Sequence, residues 1–122
     1  MTDDELQRRL EQTLAQAGHT HSIADVVAML ERGDAQCWTN DDACIITEID
    51  AYPRFSAVNY WLTFGELRAV LALEHDINPW AIEQGCSVAT AMGRPGWVRA
   101  AGKTGWKLSG FHYRKELTSG RR

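Results

Sequence analysis

An α+β fold is predicted from three observations, which together give the order helix, helix, three strands, helix, strand, helix, strand. Leu6, Leu10 and Leu14 recur every fourth residue, the spacing of one helix face. Between Ala35 and Phe64 the pattern becomes β-branched and aromatic residues, with Val58, Tyr60, Leu62 and Phe64 alternating. From Gly65 to Gly85 helical spacing returns through Val70, Leu73, Ile77, Trp80 and Gln84.

Each element has its own start and stop signals. Thr2-Asp3-Asp4-Glu5 reads as a capping box, in which the Thr2 hydroxyl and the Glu5 carboxylate satisfy free amides at a helix start. Gly18 is placed to end that helix. Ser22 opens a second helix with Asp25 at the reciprocal position, and Ile23, Val26, Val27 and Leu30 are expected to face inward before Gly33 closes it. Ala35–Trp38 reads as a short strand, and Thr39-Asn40-Asp41-Asp42 supplies turn chemistry. Ala43–Ile49 has the β-branched, apolar composition of a central strand. Asp50–Phe55, containing Pro53, connects it to the strand Ala57–Phe64, and the three strands are expected to form an antiparallel meander. Pro79 removes a backbone donor, so a kink or two short helices is expected near Asn78. Cys86–Met92 reads as a strand, Arg94–Lys103 as a short helix and Trp106–Leu117 as a last long strand. Residues 1–117 are expected to form one domain, with 118–122 a loose polar tail.

Composition narrows the class of protein. With 122 residues, 44% hydrophobic and 24% charged, the chain has room for one globular core. No apolar run approaches the roughly 20 residues needed to span a bilayer, and Met1-Thr2-Asp3-Asp4-Glu5 is acidic where a secretory leader is basic. The expected location is the cytoplasm of the producing cell, with no membrane partner. Cys37, Cys44 and Cys86 lie in apolar stretches without CxxC spacing and read as reduced, buried thiols; a cluster of Cys37, Cys44, His19 and His21 has no supporting pattern, so no metal is expected. Residues 1–89 carry a net charge of −10 and residues 90–122 a net charge of +7. Mutual neutralisation across the fold is the preferred explanation of this asymmetry; a basic face for a nucleic acid or an acidic partner is the alternative.

Two landmarks then narrow the fold. Ala81-Ile82-Glu83-Gln84-Gly85-Cys86 resembles the segment of GNAT (Gcn5-related N-acetyltransferase) proteins in which the central helix ends in Gly-Cys and enters a strand. Gly105-Trp106, followed by Tyr113-Arg114-Lys115-Glu116-Leu117, is similar to the Gly-Phe turn and final strand of that family. The resemblance implies a mixed, mostly antiparallel sheet flanked by helices. The stretch Gly93-Arg94-Pro95-Gly96-Trp97 also resembles small GNAT-like proteins of tailed phages and prophages.

The family's chemistry is only partly represented. GNAT enzymes hold the CoA pyrophosphate on a glycine-rich loop before the central helix, where backbone amides and the helix N-terminus favour an anion. The matching stretch, Leu62-Thr63-Phe64-Gly65-Glu66-Leu67, has one glycine and no basic residue, and it places the Glu66 carboxylate where the anion would lie. Many members place a tyrosine acid five residues before the Gly-Phe aromatic; the matching position is Ala101, with Lys103 nearby. Glu48 and Asp50 end a central strand where the family often keeps a carboxylate base, but a solvent-facing strand end is the preferred reading of both. Among the five tryptophans, Trp61 is expected on the face opposite Tyr60 and Leu62, beside Asn59 and Thr63, as an interface anchor if no helix covers it.

The expectation from sequence is therefore a non-catalytic GNAT-like binding protein that uses no cofactor. Its partners would be proteins, phage structural proteins among them, with incorporation into a virion. Nucleic acid is the less favoured partner. The alternative is a small acetyl-CoA-dependent N-acetyltransferase, with Glu48 or Asp50 catalytic and Gly65, Arg94 and Arg99 holding acetyl-CoA.

Overall fold

The computed structural model describes residues 1–93 and 102–117, which fall into two compact units, Met1–Ala91 and Met92–Arg122. The first unit contains α1 (Asp3–Gln16), α2 (Ile23–Arg32), β1 (Gln36–Thr39), β2 (Ala43–Ala51), β3 (Ser56–Gly65), α3 (Leu67–Glu83) and β4 (Cys86–Ala91). Its four strands lie in the order β1-β2-β3-β4. The first three are antiparallel, and β4 joins β3 in parallel after the α3 crossover.

Local signals explain the helix ends. Thr2 accepts a hydrogen bond from the Glu5 amide, so the Thr2 half of the first capping box is formed. The Ser22/Asp25 box is complete, at 3.2 and 2.8 Å, and Gly33 closes α2 with φ +82°. Val26 is fully buried, whereas Val27, expected inward, is exposed, because one residue is about 100° of turn on a helix.

The sheet is covered on both faces. Leu10, Leu14 and Val26 pack with Cys44, Ile46 and Leu62, which puts α1 and α2 on one side. On the other side Val70, Leu73, Ile77 and Ala81 of α3 are buried, Trp80 stacks edge-on against Trp38, and Asn78 meets Tyr60. As the strand between these layers, β2 is buried continuously from Ala43 to Thr47. Thr47, the buried polar residue of the core, accepts from the Trp38 indole and donates to Gln36.

Three further expectations are corrected. The break near Asn78 does not occur: α3 is one helix with Pro79 inside it. Its neighbours hold the helix across the lost bond, since Asn78 accepts from the Tyr60 hydroxyl and donates to Glu74 while Trp80 packs on Trp38. The strand expected over Trp106–Leu117 is absent, and Leu108, Phe111, Tyr113 and Leu117 are exposed. Its apolar residues change parity at Ser109-Gly110, so no single strand face collects them. In this second unit Gly102–Thr104 forms a 3-10 turn, Gly105 follows at φ +98°, and Arg114 pairs with Glu116 at 2.7 Å. The helix expected at Arg94–Lys103 lies outside the described residues except for its last two positions.

The third correction concerns β3. Val58, Tyr60, Leu62 and Phe64 do not share a face, because the register with β2 shifts at Trp61: Leu62 pairs with Ile46 and Tyr60 with Thr47. Trp61 is the extra residue of a β-bulge. Below it Tyr60 faces α3; above it Leu62 and Phe64 face α1 and α2, with Arg9 over the Phe64 ring. No helix described among these residues is long and apolar enough to cross a membrane.

Two outcomes are expected of core variants. Gly65→Ala should destabilise the protein by about 3 kcal/mol in urea unfolding, because φ is +124° and the new Cβ would collide with Asp42 O. Asn78→Ala removes the two side-chain hydrogen bonds beside Pro79 and should cost about 1–2 kcal/mol in the same measurement.

Candidate functional site

The bulge at Trp61 stands beside a second irregularity. The parallel β3–β4 ladder runs from Ser56–Cys86 to Tyr60–Ala91 and ends there, while among the described residues β3 continues to Gly65 paired with β2 alone. Trp61–Gly65 is thus a strand edge without a β4 partner. Such an edge presents backbone donors and acceptors to an amide-bearing ligand.

A polar row crosses the sheet one register step below this point. Asn59 donates to the Glu48 carboxylate at 3.1 Å, and the Thr90 hydroxyl donates to Asn59 Oδ1 at 3.0 Å. Three adjacent strands contribute one residue each. Alternation along β2 places Glu48 and Asp50 on the same side as Ile46, facing away from α3. Glu48, for which a solvated strand end is the preferred sequence reading, is half-buried and its carboxylate accepts from Asn59. Asp50 lies two residues further along, opposite Ala57 at the outer end of the hairpin.

A second chain lies on the α3 side. The Tyr60 hydroxyl donates to Asn78, which donates to Glu74. Burial, and after it the Glu74 charge, push the Tyr60 ionisation upward, so Tyr60 keeps its proton.

At the far end of β3, Gly65 and Glu66 lead into α3. The Glu66 amide donates to Asp42 O at 3.1 Å, and a Cβ at Gly65 would collide with Asp42 O and Ala43. That glycine is required by backbone packed on backbone, and it forms no open cradle. Glu66 is the N-cap and makes no side-chain cap hydrogen bond. The amides of Leu67, Arg68 and Ala69 head the helix, where no carbonyl of the helix itself reaches them, and Arg68 brings a positive charge to the first turn.

The remaining expected positions lie as follows. Trp61 packs against the α1–α2 cluster and meets the His21 ring edge-on at 4.6 Å, so the free face needed for an interface anchor is occupied. Arg94, Arg99 and Ala101 lie outside the described residues, and Lys103 is exposed in the 3-10 turn. Among the described residues no three or more His, Cys, Asp or Glu side chains gather into a metal site. Sequence reasoning missed Asn59 and Thr90. The signal for Asn59 was present: a hairpin closing through Tyr52–Phe55 puts it directly opposite Glu48.

No family model matches the sequence, and no curated protein matches it. Solved structures do resemble it. A Trypanosoma brucei acetyltransferase is similar at a TM-score of 0.66 and 12% identity, over 96% of both chains. An aminoglycoside N-acetyltransferase, AAC(6')-Iy, solved in complex with CoA, is similar at 0.62 and 14% identity, over 95% of this chain and 92% of that one. A transcriptional regulator from Bacillus halodurans gives 0.60 and 14% identity, over 96% of both. At these identities the likeness establishes the fold, a GNAT-like α+β fold with a mixed four-stranded sheet between helices.

Proposed function

We propose that the chain is a small N-acetyltransferase that takes its acetyl group from a CoA thioester. The observation that carries this reading is the coincidence of two features: the β3–β4 ladder ends at Tyr60–Ala91, and the Glu48–Asn59–Thr90 row lies beside that end. An extended thioester arm bearing amides would hydrogen-bond along Trp61–Gly65 as an added strand. Glu48 would then accept the proton of an attacking amine, directly or through a water, while Asn59 fixes its orientation. The full-length likeness to acetyltransferases, one of them solved with CoA, supports the same reading.

The residues fit the arm better than the nucleotide. A diphosphate finds no glycine cradle, because Gly65 is packed against Asp42 and Ala43 and Glu66 adds a like charge. The remaining groups for it are the first α3 amides and Arg68. Acetyl-CoA and acetyl-pantetheine should therefore differ by less than about tenfold in Kd by titration calorimetry, the worth of one ordinary hydrogen bond. A gap of several hundredfold would mean that a diphosphate site exists after all.

The packing of Gly65 and the carboxylate of Glu66 also favour a second reading, a non-catalytic domain on the same scaffold that works through protein contacts. A virion setting for it draws no support from the structural neighbours. Thiol release from acetyl-CoA across a panel of primary amines separates the two. The acetyltransferase reading expects turnover that falls by about 100-fold or more in Glu48→Gln with the fold intact. The second reading expects no turnover with any amine.

A further inference from the structure

Cys37 and Cys44 have no part in the proposed acetyl transfer, yet their sulfurs are 4.0 Å apart. They lie diagonally across the β1–β2 pair: Cys37 is opposite Ile46 and Cys44 is opposite Thr39. The two residues differ in exposure, and the burial expected of Cys37 from the sequence does not occur. Cys37 is exposed on the edge strand, whereas Cys44 is fully buried in the α1–α2 layer. We propose that this pair is an oxidation site, at which a hydroperoxide converts the two thiols into an intrachain disulfide.

The chemistry divides between the two sulfurs. The hydrogen bond from the Cys44 thiol brings Cys37 down to about 7, against an opposing push from burial. Cys44 is raised by the same bond, by burial and by the Cys37 charge, with Arg9 of α1 opposing. The pairing therefore favours the thiolate at Cys37 and the protonated thiol at Cys44. The Cys37 thiolate attacks the hydroperoxide, the O–O bond breaks, an alkoxide or hydroxide leaves and is protonated, and Cys37 becomes a sulfenic acid. Cys44 then attacks the Cys37 sulfur; the S–S bond forms, the S–O bond breaks, and the hydroxyl leaves with the Cys44 proton as water. Two electrons pass from the thiols to the peroxide.

Geometry sets the character of the bond. Closing 4.0 Å to about 2.05 Å requires β1 to shift, since diagonal neighbours lie near the upper limit of disulfide reach. β1 is able to yield, being four residues long and paired only to β2. The strain that remains makes the disulfide easy to reduce, as suits a reversible modification.

The test uses the unmodified protein, with Cys86 as the internal reference; that thiol is buried on β4 and raised by burial. At pH 7 iodoacetamide should label Cys37 at least about tenfold faster than Cys86. After hydrogen peroxide treatment and a denaturing alkylation, peptide mass mapping should find a Cys37–Cys44 cross-link that dithiothreitol removes. In Cys44→Ala, dimedone should trap a sulfenic acid at Cys37. Equal labelling of Cys37 and Cys86, progression of Cys37 to sulfinic acid with Cys44 untouched, or a Cys37–Cys37 link between copies would each overturn the proposal.

Discussion

The first unit depends on β3 burying one face below Trp61 and the opposite face above it. A regular strand would send Tyr60, Leu62 and Phe64 to the same layer. The Tyr60 hydroxyl would then enter the apolar α1–α2 side, away from Asn78, at a cost of about 1–3 kcal/mol. The extra residue at Trp61 resolves this conflict. It lets Tyr60 reach α3 and lets Leu62 and Phe64 close the α1–α2 core, while the Trp61 ring fills the space beneath His21. The same bulge stands where β3 loses its β4 neighbour. One local adjustment therefore completes the core at the point where the described β3–β4 pairing ends.

Electrostatics then restrict what that edge is suited to hold. Residues 1–89 carry a net charge of −10, and residues 90 and 91 add none, so the first unit as a whole is acidic. An acidic unit repels a polyanion at long range, more strongly at low salt. The entry to α3 adds Glu66 and a glycine closed off by Asp42 and Ala43. The part of a CoA thioester that matches this surface is its uncharged amide arm. That match is why catalysis and weak nucleotide recognition belong together in this account.

Much of the fold was legible because its signals are local. The Ser22/Asp25 box, the Gly33 stop, the Asn40 turn and the β-branched β2 each specify an element without help from distant residues. The strand pattern failed at Trp61 because a bulge is decided by which layer each side chain must meet. Ser109-Gly110 shows the reverse error, a run with strand-like composition whose apolar parity changes midway. Glu48 was identifiable as a candidate from its position at a strand end. Its partner Asn59 required hairpin register, and Thr90 required the parallel pairing of β4, which only the α3 crossover establishes.

The central claim is that a thioester arm lies along β3 between Trp61 and Gly65, beside the Glu48 row. A backbone amide NMR titration with a non-hydrolysable acetyl-pantetheine thioether reads this directly. The account expects saturable shifts that concentrate on the amides of Trp61–Gly65 and on Asn59 and Thr90. Saturable shifts confined to other segments, with β3 unmoved, would contradict it, as would no shift at millimolar ligand.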